Sequence, residues 1–396
     1  MIAIKPDTEI IEKIQDFQNM KTLETRLKEL GEQIRTRLDT ERREQGSKST
    51  KPIVINGNIC ANILMRYIKF ILFDEEENTK IAMYQEDRGI YTQNISIIKR
   101  IISYLEPALN SSEADEVIYH IRNRAEIKKR TNSPDLIPVN NGVYNKKTKQ
   151  LEPFNYDYVF TTKICTDYKE VTEPPIVNGW AFDEWLDEIA CHDLEVFTLL
   201  WQVINDSLNG NYTRKKAIFL VGDGNNGKGT FQALLSNLIG FDNIASLKVN
   251  EFNHEFKPSV LEGKTLVIGD DVPVGVNIED SSNFNSVVTG DPILINPKKK
   301  QPYRAVYRCT VIQSTNGMPR FNNKTSGTNR RLLIVPFNAD FNNDKENADI
   351  KDKYIKDKNI LEYILFKAIN LDFKKFLIPK VSKEMLEDFK QDNDPV

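Results

Sequence analysis

Cysteine and histidine are scarce in this chain of 396 residues, and neither residue type is clustered. Zinc sites and redox pairs need ligands at short, defined spacings, so the sequence predicts neither kind of site. The thiols are expected to be reduced and mostly buried, as in a cytosolic protein, and the histidines to be structural. The residues concerned are Cys60, Cys165, Cys191, Cys309, His120, His192 and His254.

Long apolar runs and a strong net charge are also missing. No apolar stretch approaches the roughly 20 residues of a membrane-spanning helix. The N-terminal sequence MIAIKPDTEIIEKI is acidic and amphipathic, unlike a signal peptide, so we predict a cytoplasmic protein without membrane contact. The formal net charge is only −3, so any contact with nucleic acid is expected on a local loop or pore.

A glycine-rich loop between an apolar run and a helical pattern is the most informative feature. Residues 215–231 read KKAIFLVGDGNNGKGTF and contain the pattern G-x-x-x-x-G-K. Backbone N–H groups of such a loop turn toward a polyphosphate, and the lysine adds a positive charge, so nucleotide binding is predicted. The candidate contacts are Gly222, Asp223, Gly224, Asn225, Asn226, Gly227, Lys228, Gly229 and Thr230.

One position of this loop departs from the usual pattern. The residue after the lysine is ordinarily Ser or Thr, whose hydroxyl binds Mg²⁺, but here it is Gly229, followed by Thr230. One residue is about 100° of rotation on a helix, so Thr230 cannot substitute without a local shift. Either the flexible glycine re-aims Thr230, or water completes the magnesium shell.

Paired carboxylates follow a second apolar run. Residues 266–268 are apolar, and Asp270 and Asp271 come after Gly269. In an NTPase, one such carboxylate holds the Mg²⁺ shell and the other polarises the attacking water. A pair that only caps a turn is the alternative. On the first interpretation, Asp270 and Thr230 are the candidate metal ligands.

Two further predicted strands have polar residues at one end. Residues 311–315 lead to Asn316, which either bonds the attacking water or the γ-phosphate, or forms an Asn-Gly turn. Arg330 and Arg331 precede residues 332–337. They are either charges at a strand edge or a source of an arginine that completes the site of a neighbouring subunit.

A lysine-rich tip separates two short segments, 293–295 and 303–307, whose sequences predict a pair of strands. The tip contains Lys298, Lys299 and Lys300. Such lysines protect a strand edge as solvated charges. On a hairpin pointing into the pore of a ring, they would instead bind the phosphates of one DNA strand with little sequence preference.

The pattern along the chain divides it into four segments. Residues 1–50 are charged and helical, residues 53–175 are mainly helical and turn to β, residues 178–340 contain the motifs, and residues 345–396 are helical again. Strands and helices alternate over 215–337, which predicts a parallel αβα sandwich with ligands at the carboxyl ends of the strands. The predicted fold class is α/β, with a mixed, mainly helical region before the phosphate-loop sandwich.

Taken together, GDGNNGKGTF, TLVIGDD, VVTGDPI, the lysine hairpin, QSTNGMPRF and NRRLLIVPF resemble the motifs of superfamily 3 helicases. The chain is most similar to phage and plasmid primase–helicases of the satellite-phage type, with the poxvirus primase-helicase as a relative. The segment DLIPVNNGVYNKKTKQLEPFNYDYVFTTKICTDY is similar to the domain before the motor in that family, so residues 53–175 would be helicase-associated. Residues 178–340 would be the AAA+-like ATPase domain.

The resemblance implies a hexameric ring that uses ATP and Mg²⁺ to move 3′→5′ on single-stranded or forked DNA. Its setting would be the replication of a phage, plasmid or genomic island in a bacterial cytoplasm, with a primase or polymerase as partner. Carried over to this chain, Lys228 is the phosphate-loop lysine, Asn316 the sensor and Arg330 or Arg331 the arginine finger. Asp270 and Asp271 form the second motif, and the lysines at 298–300 occupy the pore hairpin.

Two features limit what the resemblance implies. The first 200 residues show no recognisable primase centre, so only the helicase half is assigned. Relatives usually continue past the segment KEMLEDFKQDNDPV into a small winged-helix domain, which implies a truncated or naturally short form.

Two other functions remain open. One is an ATP-gated DNA-binding or origin-loading ring with weak hydrolysis, which Gly229 leaves room for. The other is a phosphate-loop kinase of a small molecule, which would need neither a lysine hairpin nor an arginine from a neighbour.

Overall fold

The computed structural model describes residues 22–75, 79–298, 302–322, 326–342 and 347–393. Contacts divide the chain into two compact units. The first comprises the described residues up to Asp87 together with Tyr91–Arg130, and the second comprises Arg88–Ile90 and the described residues from Thr131 onward. The predicted boundaries near residues 50, 175 and 340 rest on sequence pattern and stay predictions.

The first unit packs helices around a small sheet. β1 pairs antiparallel with β2 and parallel with β4, in the order β3-β2-β1-β4. The elements are α1 (Leu23–Glu44), α2 (Gly57–Tyr67), β1 (Phe70–Leu72), β2 (Ala82–Gln85), β3 (Ile90–Thr92), α3 (Ile95–Leu105), α4 (Ser111–Arg122) and β4 (Glu126–Ile127).

Asparagine side chains start three helices of this unit. Asn56, Asn94 and Asn110 each accept a hydrogen bond from a backbone N–H in the first turn that follows, which satisfies a donor that the helix leaves open. Glu113 bonds back to the Asn110 N–H and completes a capping box.

The second unit contains the predicted motifs. Its helices are α5 (Phe182–Ile189), α6 (Leu194–Ser207), α7 (Lys228–Ile239), α8 (Ser282–Thr289), α9 (Ser326–Asn329), α10 (Ala348–Asp352), α11 (Lys358–Ile369) and α12 (Lys380–Asn393). Its strands are β5 (Leu136–Val139), β6 (Gly142–Asn145), β7 (Gln150–Glu152), β8 (Ile176–Val177), β9 (Trp180–Ala181), β10 (Ala217–Val221), β11 (Ile244–Ser246), β12 (Leu266–Val272), β13 (Asn277–Ile278), β14 (Pro292–Ile295), β15 (Tyr303–Val306), β16 (Thr310–Thr315), β17 (Arg320–Phe321) and β18 (Leu332–Pro336).

A five-stranded parallel sheet in the order β11-β12-β16-β10-β18 is the centre of this unit. Ile218 and Leu220 of β10 belong to one apolar core, and Ala217, Phe219 and Val221 to another. Successive side chains of a strand face opposite sides, so apolar groups cover both faces of the sheet. The prediction of an α/β fold with a parallel sheet is confirmed.

The second unit also contains smaller sheets of two or three strands. β5, β6 and β7 form an antiparallel sheet, and β14 pairs antiparallel with β15, which confirms the predicted pairing around the lysine-rich tip. None of the helices in the described part of the chain has the length and apolar content to cross a bilayer.

The cysteines differ from the prediction. Cys60 and Cys309 are buried, whereas Cys165 and Cys191 are exposed, so only two of the thiols fit the predicted buried environment.

Candidate functional site

A cavity of about 450 Å³ lies at the carboxyl end of the central sheet. Parallel strands end at the same edge, so motifs that are distant in sequence meet there. Its lining includes Gly224, Asn225, Asn226, Gly227, Lys228, Gly229, Thr230, Asp270, Asp271 and Asn316 from the predicted set. Gly222 and Asp223, also predicted, lie at the start of the same loop, directly after β10.

Gly222 and Gly227 of the loop are glycine for different structural reasons. Gly227 has φ of 90° and caps the amino end of α7, a conformation that favours glycine. A Cβ on Gly222 would lie 2.0 Å from the Phe337 carbonyl oxygen, so only glycine fits beside the end of β18. Gly222 is therefore required by backbone packing.

The two asparagine side chains of the loop form hydrogen bonds with other residues of this chain. The buried Asn226 amide donates to the Phe337 carbonyl at 2.6 Å. The Asn225 amide donates to the Phe341 carbonyl at 3.1 Å and to Asn342 Oδ1 at 2.9 Å. These side chains fix the loop to the segment after β18, so an anion would be bound by backbone N–H groups of the loop and not by the asparagine amides.

The Lys228 ammonium group folds back over its own loop. Its Nζ donates to the carbonyls of Gly222 and Asp223 and, at 3.1 Å, to Asn226 Oδ1. Burial lowers the pKa of Lys228, while the carboxylates of Asp223, Asp270 and Asp271 act in the opposite direction. These acceptors hold a cation at the cavity wall.

A β-bulge places both carboxylates of the second motif in the cavity. In a regular strand, consecutive side chains alternate between faces. The pairing of β12 with β16 shifts between Gly269 and Val272, and Asp271 has φ of 50°. As a result, Asp270 and Asp271 are both exposed and both line the cavity.

Ser314 of the neighbouring strand stabilises this bulge. Its buried hydroxyl donates to Asp270 Oδ1 at 2.7 Å and accepts from the Asp271 N–H at 3.1 Å. One hydroxyl therefore orients the first carboxylate and fixes the backbone of the second. No sequence pattern indicated this role, because the serine lies within the ordinary strand sequence TVIQST.

The residue before the carboxylates must be glycine for a packing reason. A Cβ on Gly269 would lie 2.1 Å from Oε1 of Gln313, which is fully buried. That oxygen accepts from the Val249 N–H at 2.7 Å, and Gln313 Nε2 donates to the Leu247 carbonyl at 3.2 Å. The glutamine has no room to move without losing these bonds.

The arginines lie away from the cavity. Arg330 and Arg331 directly precede β18, and the Arg331 carbonyl accepts from the N–H of Ala217, the first residue of β10. They are thus at the amino edge of the sheet, whereas the cavity is at the carboxyl edge. The Arg331 guanidinium donates to the Gly327 carbonyl, and burial lowers its pKa.

Of the three lysines predicted to bind DNA, the structure describes Lys298. Lys298 is exposed beyond the end of β14. Lys299 and Lys300 lie outside the described residues.

Several residues that line the cavity lie outside the predicted motifs. Trp185 comes from α5, Phe341 from the segment after β18, and Ile350 and Lys351 from α10. No sequence pattern marked them, since each reaches the cavity through tertiary packing.

The site has oxygen ligands that suit a magnesium ion. Within the described ranges there is no group of three or more His, Cys, Asp or Glu residues able to hold a metal. Mg²⁺ commonly takes one or two carboxylates and completes its shell with water and substrate phosphates. The Asp270 carboxylate and the Thr230 hydroxyl, which both line the cavity, fit that smaller set.

Two family models match parts of the chain. Residues 66–191 match the model described as "D5 N terminal like", and residues 220–331 match a family of unknown function, DUF5906. Both are hallmarks of phage primase–helicase proteins, which agrees with the predicted resemblance at this coarser level. The specific superfamily 3 assignment stays a prediction.

Solved structures share the fold. An A form apo structure of the NrS-1 C terminal region has a TM-score of 0.55 and 13% identity, covering 85% of this chain and 75% of that chain. Another apo structure of that region has a TM-score of 0.55 and 14% identity, covering 86% and 76%. At this identity the similarity shows a common fold alone.

Proposed function

We propose that this chain is an ATP-dependent motor of the replicative DNA helicase type. The observation that carries the proposal is the meeting of Lys228, Asp270, Asp271 and Asn316 in one cavity at the carboxyl end of a parallel sheet. These are the side-chain types that nucleoside triphosphate hydrolysis needs. β16, which leads to Asn316, lies between the loop strand and the carboxylate strand, and this suits an AAA+-like motor.

Each group has a role in the proposed reaction. The loop N–H groups and Lys228 bind the β- and γ-phosphates, with the ammonium exchanging its carbonyl partners for phosphate oxygens. Asp271 polarises the attacking water, and Asn316 bonds that water or the γ-phosphate. Asp270 and Thr230 would hold Mg²⁺, which neutralises charge on the phosphates when it is bound.

Ring assembly and DNA transport extend the proposal. Because Arg330 and Arg331 lie at the sheet edge opposite the cavity, a neighbouring copy would supply the arginine, as in a hexamer. The hairpin β14–β15 presents Lys298 and suits binding of one DNA strand in a central pore. Movement 3′→5′, replication of a mobile element, and a primase or polymerase partner rest on the sequence resemblance.

DNA-stimulated ATP hydrolysis is the first test. We expect ATPase activity that rises several-fold with single-stranded DNA, because strand binding at the hairpin is coupled to turnover. Replacing Lys298, Lys299 and Lys300 with Ala should remove that rise and spare basal turnover, whereas replacing the exposed Lys374 and Lys375 should change neither rate. Initial rates over a DNA titration measure both effects.

The alternatives predict other results. Slow hydrolysis by a DNA-binding oligomer would favour the ATP-gated ring. Gly229 supports this alternative, because it stands where Ser or Thr ordinarily provides a hydroxyl for Mg²⁺. Hydrolysis by a monomer that ignores DNA would favour a small-molecule kinase. A hairpin variant that keeps full stimulation would remove the hairpin from DNA binding.

Ser314→Ala is expected to lower kcat about 10-fold and to raise the magnesium concentration needed for half-maximal rate. The change removes the hydroxyl bonded to Asp270 Oδ1, and a hydrogen bond to a charged group contributes about 1.5–3 kcal/mol. The KM for ATP should change little, since Ser314 bonds a carboxylate and not the loop. The measurement is steady-state hydrolysis over a magnesium titration.

Ser236→Ala is the matched control. Ser236 is also buried and donates to a backbone carbonyl, that of Gln232 at 2.9 Å, so it reports the cost of losing a buried serine bond away from the carboxylates. Equal kcat values for the two variants would contradict a positioning role for Ser314.

A further inference from the structure

The short helix α10 brings a second lysine to the cavity. Lys351 lies on its lining, and its Nζ is 3.8 Å from the position that a Cβ would take on Gly229. Gly229 is the second residue of α7 and follows Lys228 directly. The two ammonium groups therefore belong to one cavity, although their residues are far apart in sequence.

Lys351 differs from the other charged groups around it. Lys228 bonds three acceptors of its own loop, and Lys353, two residues further along, pairs with Asp349 at 2.9 Å. Within the described ranges, the side chain of Lys351 makes neither a hydrogen bond nor an ion pair, and it is exposed. Among the described residues it is thus a cation at the cavity wall whose ammonium group bonds no acceptor.

Buried packing fixes the chain that carries this lysine. Ile355, in the turn after α10, is fully buried in the core that covers one face of the sheet. Its carbonyl accepts from the side chain of Asn237 at 3.1 Å, and Asn237 belongs to α7. Because α7 also begins with Lys228, one helix positions both lysines.

The residue at position 229 determines how much space there is beside the Lys351 amine. A serine or threonine there would put a hydroxyl between the first turn of α7 and Lys351. Glycine leaves space here, and among the described residues outside the backbone of α7 the Lys351 amine is the atom that lies within 4 Å of its absent Cβ. An ammonium group donates to phosphate oxygens at about 2.8 Å, so a phosphate oxygen beside the first turn of α7 would be within reach of the Lys351 amine.

We propose that Lys351 is a second phosphate-binding cation, which contacts the outer phosphates of a nucleoside triphosphate from the same subunit as Lys228. The proposal rests on the proposed nucleotide-binding function and adds a residue that lies outside both segments matched by family models. Glycine at position 229 and lysine at 351 then act together: the first leaves the space and the second supplies the charge.

The test compares phosphate chains of different length. Binding of ATPγS, ADP and AMP to wild type and Lys351→Ala is measured by calorimetry. Loss of one charge-assisted contact predicts about 10-fold weaker ATPγS binding, a smaller loss for ADP and none for AMP. Lys351→Arg should retain most of the affinity, and Lys351→Gln should not.

Lys353→Ala is the matched control, because Lys353 is an exposed lysine of the same segment whose partner is Asp349. Equal ATPγS affinity in wild type, Lys351→Ala and Lys353→Ala would overturn the role of Lys351. An equal loss for ATPγS and AMP would also overturn it, since the lysine would then act on the fold of the site. Failure of the wild type to bind ATPγS would instead overturn the proposed function.

Discussion

Lys228→Ala is expected to abolish ATP hydrolysis, with a loss of roughly 10²–10³-fold or more, the scale seen when one group that stabilises transition-state charge is removed. The ammonium stands beside the carboxylates of Asp223, Asp270 and Asp271, which act on its pKa. Without it, these three negative charges would repel the triphosphate. The variant should therefore lose both nucleotide affinity and turnover.

Hydrolysis and thermal unfolding should be measured on the same preparation. Lys264→Ala is a suitable control, because Lys264 also donates to a backbone carbonyl, that of Asp242 at 2.6 Å, but does not line the cavity. We expect normal activity from the control and unfolding midpoints close to wild type for both variants. Wild-type hydrolysis by Lys228→Ala would show that the loop is not the catalytic site.

The elements that sequence predicted well are those with a local signature. The phosphate loop lies between an apolar strand and a helix, the two carboxylates lie near the carboxyl end of the strand β12, and Asn316 directly follows β16. Strands of a parallel sheet that is covered on both faces are mostly apolar, and this made β10, the first half of β12 and β18 recognisable. Their meeting at one sheet edge then follows from topology.

The elements that sequence missed depend on contacts between distant segments. The bulge at Asp270 and Asp271 needs the hydroxyl of Ser314 on another strand, and Gly269 needs to be small because of Gln313. Neither dependence leaves a pattern within one strand. Lys351 likewise reaches the cavity through packing of the chain after α10, in a segment whose composition indicated only a charged helix.

The extent of the second unit also depends on contacts between distant segments. Asn209 donates to the Ser133 carbonyl at 3.1 Å, and Lys146 donates to the Leu371 carbonyl at 3.0 Å. Residues soon after position 130 are thereby bonded to chain that is much later in sequence. Composition changes near the proline pair at 174–175, but composition does not record these long-range bonds.

When Arg331→Ala subunits are mixed with wild-type subunits, the DNA-stimulated hydrolysis rate, as a fraction of the wild-type rate, is expected to fall far below the fraction of wild-type subunits in the mixture. Arg331 directly precedes β18, whose five residues span about 16 Å, and the cavity lies beyond the other end of that strand. An arginine side chain is too short to cover this distance within one chain. If it acts on a nucleotide, it does so in a neighbouring copy.

Hydrolysis should be measured at several mixing ratios after subunit exchange, with Arg330→Ala titrated in parallel. Arg330 is exposed, whereas the Arg331 guanidinium is partly buried and donates to the Gly327 carbonyl, so comparing the two variants identifies which arginine acts between subunits. Sequential turnover makes each site depend on its neighbour, so one defective subunit should stall a whole ring. Activity that falls in linear proportion to the variant fraction would mean that the sites work independently, and it would argue against an arginine supplied by a neighbour.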